Sequence, residues 1–149
     1  MKSQITIQNA TLEDIDTIWR WGEENWEMWQ NPEDKYYPKE QLIKWFSQPD
    51  NCLLLVARDG KKTVGMCLSY ILNTWVLIDG LFVEKAYRKQ GLAQKLFQET
   101  EKLLKEKNHH LLGLLVHENN SYALNFYKKQ GYKQGFKFHW MSKELKDIK

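Results

Sequence analysis

AYRKQGLAQKLFQE, residues 86–99, opens with two cations and a glycine and turns at once into an amphipathic pattern. Leu92, Leu96, Leu103 and Leu104 recur at helical spacing with Phe97 and Thr100 alongside, which predicts a helix from about Gly91 to about Lys107. Ahead of it, WVLIDGLFVE, residues 75–84, is an apolar run that reads as a strand. A strand, a short loop carrying Arg88 and Lys89, a glycine and a helix N-terminus together describe an anion site. The first-turn N–H groups lack intrahelical partners, the dipole end is positive, and Gly91 puts no side chain in the way of a phosphate.

With 149 residues the chain is long enough to bury about 70% of its unfolded surface in one core, and residues 1–149 read as a single domain. A net charge of +3 with 28% charged residues falls short of the dense basic stripe that nucleic acid requires. MKSQITIQNATLED lacks the apolar stretch of a signal peptide, and runs such as LLGLLV are far below the ~18 residues of a membrane span. The expectation is therefore a cytoplasmic protein with neither nucleic acid nor membrane as partner. The two cysteines have no metal-ligand neighbour at C-x-x-C spacing, and His109, His110, His117 and His139 form no constellation, so no metal is expected.

ITIQNA reads as a first strand, and Thr11 is placed to cap a helix with Leu12, Ile15, Ile18 and Trp19 on one face. Residues 23–38 end that helix and form a loop; a second helix follows at about 39–48, ahead of Pro49. CLLLVARDGKKTVGMCL reads as a hairpin about Asp59 and Gly60, with strands at 51–58 and 62–72. If Arg58 opposes Lys61, then Cys52 opposes Cys67, either as two small buried thiols, which a reducing compartment favours, or as a disulfide. Strand 75–84 continues as an antiparallel neighbour. HLLGLLVHE suggests a strand at about 111–117, buried on both faces and parallel to 75–84 because a helix crosses between them. NNSYALNFYKKQG is a short helix ending at Gly131, and YKQGFKFHWMSKEL alternates as two short strands or one bent one.

R-x-x-G-x-A at Arg88, Gly91 and Ala93 resembles the Q/R-x-x-G-x-G/A signature of the GNAT superfamily, the acetyl-CoA-dependent N-acetyltransferases. N-x-x-A-x-x-F-Y-x-x-x-G at Asn120, Ala123, Phe126, Tyr127 and Gly131 is similar to that family's second cofactor motif, and the element order resembles the family's over nearly the whole chain. The resemblance implies an α/β (α+β) fold with flanking helices. Its mixed, mostly antiparallel central sheet would have about six to seven strands, with a V-shaped splay between strands four and five. It implies that the splay beside Leu81, Phe82 and Val83 admits the pantetheine arm of acetyl-CoA. The pyrophosphate would rest on Arg88, Lys89, Gln90, Gly91, Leu92 and Ala93, and Asn120, Ala123 and Tyr127 would complete the cofactor site. A P-loop and a dinucleotide fingerprint are both absent.

Acetyl transfer to an amine asks for a neutral nucleophile, a polarised carbonyl and a proton for the departing thiolate. Tyr127 corresponds to the family tyrosine that points at the cofactor sulfur, a resemblance that implies its phenol protonates the leaving thiolate; the alternative is that Phe126 and Tyr127 are core aromatics. Asp79 lies in an apolar strand, where desolvation suits it to accept a proton from an ammonium. Several members of the family place an acid in this strand, and the polyamine acetyltransferases are similar in having Glu four residues before the valine that corresponds to Val83. Asp79–Gly80 is also a hairpin dipeptide; a bulge there, common in the family, would free an N–H near Leu81 or Phe82. Glu23, Glu24, Glu27, Glu33 and Asp34 stand among Trp21, Met28, Tyr36 and Tyr37, a mixture that attracts cations or makes a solvated surface, while Trp19, Trp26 and Trp29 fall on one helical stripe. The histidines read as surface or packing residues, His117 being singled out because strand exits face the cofactor cleft, and Lys128 and Lys129 read as a solvated face, with contact to the coenzyme's ribose phosphate as the alternative. The functional expectation is transfer of acetyl to a small-molecule amine, with a non-catalytic acyl-CoA-binding module as the alternative and a homodimer left open.

Overall fold

The computed structural model describes residues 4–25 and 39–143. Five strands, β1 (Ile5–Asn9), β2 (Cys52–Asp59), β3 (Lys62–Ile71), β4 (Val76–Val83) and β5 (Leu112–Leu114), lie side by side in sequence order. Only β4 and β5 run parallel, because α3 (Leu92–Glu106) crosses between them. Helices α1 (Ile15–Glu24) and α2 (Lys39–Phe46) cover one face of the sheet, burying Ile15, Ile18, Trp21 and Leu42 against Val56, Met66 and Leu68. On the opposite face, Leu92, Leu96, Phe97 and Leu104 of α3 pack on Leu55, Val64, Cys67, Val76 and Ile78. Helix α4 (Ser121–Lys129) joins that layer through Tyr127. With both faces covered, β2 and β3 are apolar on both sides, as their sequences are. No helix among the described residues is long and apolar enough to cross a membrane.

Several details differ from the expectations, among them the strand at 111–117, expected to be buried on both faces but only partly buried at Leu112–Leu114, with Leu111 and Leu115 exposed. The described sheet has five strands where about six to seven were expected: β5 stops after three residues, and residues 133–143 carry no strand. So short an edge offers a further strand little ladder to pair with, and Phe136, Phe138 and Met141 stay more than 80% exposed. The cysteines do not oppose one another. The turn residues are Gly60 and Lys61, with Asp59 opposite Lys62, and a register shift at Ala57/Arg58 moves the ladder again. Cys52 faces Tyr70 and Cys67 faces Leu55, so the two thiols lie on opposite sides of the sheet and are free. Finally, Leu12 is 65% exposed and does not share the apolar face of α1. It sits in a 3-10 turn, Leu12–Asp14, whose inward residue is Asp14.

Asp14 is 1% exposed and accepts from Thr63 Oγ1, from the Thr11 N–H at 2.7 Å and from Arg58 Nη2 at 2.7 Å. Thr11 followed three residues later by an acid is the capping-box pattern, and the returning side chain satisfies an N–H that has no helical partner. Burial raises the carboxyl's proton affinity, but the hydrogen bonds from Thr63, Thr11 and Arg58 outweigh it and hold the group below the ordinary carboxylate value. One buried carboxylate thereby joins the β1–α1 corner to β2 and β3.

Candidate active site

The parallel ladder pairs Val76, Leu77 and Ile78 with Leu112, Gly113 and Leu114 and then ends, while β4 runs on to Val83. This is the splay. At its apex the β3–β4 ladder jumps from Ser69–Ile78 to Leu68–Gly80, leaving Asp79 as the extra residue of a bulge, so strand 76–83 is continuous and not broken into a hairpin. Val76, Ile78, Leu81 and Val83 all face the α3 layer, whereas Phe82 faces α1 and α2. Asp79 is half-buried. It stands near Cys52, whose thiol is pushed up to about 11 by burial and further by the Asp79 charge. Phe82 stacks 4.8 Å from Trp21 and carries the Arg88 guanidinium 5.6 Å from its ring centre.

Past Val83 a second 3-10 turn, Lys85–Tyr87, leads to the loop. Arg88 turns back, donating from Nε to the Val83 carbonyl at 2.8 Å, and Gln90 donates to the Ala86 carbonyl. Lys89 and Gly91 adopt left-handed φ values of 61° and 75°. Among the described residues, none of the N–H groups from Lys89 to Gln94 has a protein acceptor. The space where a Gly91 Cβ would stand is open. Leu92 is buried in the core and Ala93 is half-buried against it. Successive unpartnered N–H groups at a helix N-terminus are what a phosphate needs.

Helix α4 starts at Asn120, whose Oδ1 accepts the Ala123 N–H at 3.0 Å, which commits that oxygen to the cap; Ala123 itself is half-buried. The helix ends with Gly131 at φ 91°. Gly131 N–H donates to the Lys128 carbonyl and Tyr132 N–H to the Tyr127 carbonyl, the two bonds of a Schellman ending. The same motif brings the Tyr132 and Tyr127 rings to 5.9 Å, and Phe97 lies 5.6 Å from Tyr127. Burial raises the Tyr127 phenol to about 12, with a smaller contribution from Cys67. Its hydroxyl has no hydrogen-bond partner among the described residues.

His117, exposed, accepts the Asn119 N–H at Nδ1. Among the described residues no three His, Cys, Asp or Glu side chains converge as metal ligands. Glu23 and Glu24 are exposed at the end of α1; Trp26, Glu27, Met28, Trp29, Glu33, Asp34, Tyr36 and Tyr37 lie outside the described residues. Sequence reasoning passed over Tyr87 and Glu84 ahead of the loop, and Tyr132 beside Tyr127. For Tyr132 a signal existed, since the residue after a helix-ending glycine regularly packs back on the last turn.

A sequence profile of the Acetyltransferase (GNAT) family matches residues 17–132. A Bacillus subtilis (strain 168) protein provisionally named as a ribosomal protein bS18-alanine N-acetyltransferase is 29% identical over 136 residues, covering 91% of this chain and 85% of the relative. A spermidine N(1)-acetyltransferase of Thermoplasma acidophilum is 27% identical over 145 residues, covering 87% and 88%. The crystal structure of the PaiA N-acetyltransferase from Thermoplasma acidophilum in complex with coenzyme A superposes with a TM-score of 0.75 at 25% identity, covering 87% of this chain and 90% of that one.

Proposed function

The chain belongs to the GNAT acetyltransferase family and is an N-acetyltransferase, and from that premise we propose that it transfers acetyl from acetyl-CoA to a small primary amine by direct attack. The observation that carries this reading is the run of unpartnered N–H groups at residues 89–94, one strand-length beyond a splayed sheet edge. A dianionic diphosphate gains from those donors, and the splay admits an extended thioester arm.

In this reading the coenzyme supplies an activated acyl group, and the protein supplies orientation and charge. The free edge of β4 between Gly80 and Val83 offers backbone N–H to the oxygen that gains charge as the amine attacks. Asp79, or a water it holds, takes the proton from the ammonium before attack. As the C–N bond forms and the C–S bond breaks, the proton shed by the nitrogen passes through water or the Tyr127 phenol to the sulfur, which leaves as the free thiol beside Tyr127. Burial raises the phenol to about 12, so it is protonated throughout the neutral range and has a proton to give to the sulfur as charge builds. Tyr127→Phe should lower kcat about 10²-fold with coenzyme affinity unchanged. Wild-type turnover across pH in that variant would make Tyr127 a packing residue.

Charge distribution favours a cationic acceptor. Residues 1–84 carry eight Lys and Arg against thirteen Asp and Glu, and residues 85–149 carry fourteen against six. The half that holds the anionic coenzyme is basic, and the half that would meet the acceptor is acidic. A relative named for spermidine acetylation is consistent with this. Free-thiol release across an amine panel tests the activity; tight coenzyme binding without turnover of any amine would favour a binding module instead. Within the panel, kcat/KM for a diamine should exceed that for a monoamine of equal length at low salt. The advantage should shrink at high salt and in a variant with Glu23, Glu24 and Glu27 changed to Gln. Equal use of both amines under all these conditions would leave the acidic residues as a solvated surface.

A further inference from the structure

The segment that leads into the anion-binding loop is tied to the turn of the β2–β3 hairpin. Tyr87 Oη donates to Asp59 Oδ2 at 2.8 Å, and Lys62 Nζ pairs with Glu84 Oε2 at 2.6 Å. The Lys62 ammonium lies 5.4 Å from the centre of the Tyr87 ring, and the Glu84 N–H donates to the Val64 carbonyl at 2.9 Å. Tyr87 also packs against the core on the α3 side. Immediately beyond these contacts come Arg88, held to Val83, and the left-handed Lys89 and Gly91. The loop's outer side is open at Gly91. Its N–H groups are therefore aimed by helix α3 downstream and, upstream, by the tie to the hairpin together with the Arg88–Val83 and Gln90–Ala86 bonds.

We propose that Asp59, Lys62, Glu84 and Tyr87 are positioning residues for the coenzyme's diphosphate: they hold residues 84–88 against the β2–β3 turn and so fix the direction of the N–H groups at 89–94. The inference rests on the acetyl-CoA reading above. Lys62 is exposed and Tyr87→Phe keeps the ring that packs on the core, so removing these polar contacts leaves a folded protein. They matter to binding because charge-assisted hydrogen bonds to a diphosphate reward donors that are already aligned. Lys62 acts here as a brace, its charge engaged by Glu84 and Tyr87.

Acetyl-CoA and S-acetylpantetheine carry the same thioester, but only the first has a diphosphate, and the pair separates positioning from general loss of structure. For Tyr87→Phe and Lys62→Met, KM for acetyl-CoA should rise about 5–10-fold and kcat should hold, with the double variant worse than either. Kinetics with S-acetylpantetheine should not change. An equal loss with both donors, or no change with either, overturns the proposal. Calorimetry with CoA and pantetheine on the same proteins reads the same difference without an acceptor. A wild type that binds CoA no better than pantetheine removes the premise; a wild type and variants that discriminate equally well remove only the brace.

Discussion

Gly91→Glu abolishes acetyl-CoA binding, by at least about 10²-fold in Kd, in a protein that still folds. The expectation has two parts. Gly91 sits at φ 75°, ψ 8°, where a residue with a Cβ costs about 1 kcal/mol, and no atom lies within 4 Å of the Cβ position, so the chain tolerates the change. The added carboxylate would then stand where the proposed site puts the diphosphate. It repels the anion and can itself accept from the N–H groups of residues 89–94. Gly91→Ala separates the parts, since it carries the same backbone strain without charge or bulk, and it should keep most of the affinity. Calorimetry on both variants, with circular dichroism to establish folding, reads the result. Unchanged affinity in folded Gly91→Glu would mean that the anion binds elsewhere.

Asp14→Ala should cost about 3–5 kcal/mol of folding free energy, read as a lower urea midpoint at unchanged m. The carboxylate is buried with three hydrogen-bonding partners, and its loss strands the Arg58 guanidinium, already 86% buried with Nε unpartnered among the described residues. The pH dependence has a fixed sign. Because the folded protein holds Asp14 below 3.8, its contribution is fully present above that value and is lost as pH falls through the lower folded value. The wild type should therefore lose stability on acidification below about pH 4 by a margin the variant does not share. A change under about 1 kcal/mol, or parallel acid profiles for the two proteins, would reduce the cluster to a surface ion pair.

The two motifs were legible because each depends on local chemistry. Gly91 must be left-handed, Asn120 must cap and Gly131 must end a helix, and each requirement is met by a residue type at a fixed offset. The bulge was legible from length and resemblance, because a turn at Asp79–Gly80 would have left two very short strands; which residues of this apolar run face inward was not. Nor was hairpin register. Asp59–Gly60 marks a turn but not which residues flank it, and at the Ala57/Arg58 shift the skipped residue is Val64, with Gly65 beside it as the one local hint of an irregularity. Asp14 was hidden for another reason: its burial depends on Arg58 and Thr63, more than 40 residues away, and no window along the chain contains all three. The tail 133–143 alternates as a strand would, but a pattern can be realised only where a partner edge is long enough to receive it.

The bulge in β4 also has a genetic reading. Take one codon from this strand, that of Asp79, and Val76, Ile78, Leu81 and Val83 keep the face they hold now, since the strand then alternates without interruption. Take the codon of Ile78 instead, and Asp79 falls into step on the inward side, delivering a carboxylate to the apolar layer under α3. Sheet and chemistry are thus written in separate letters along one strand. The sheet could be spelled without Asp79, which interrupts the regular pairing of β4 with β3.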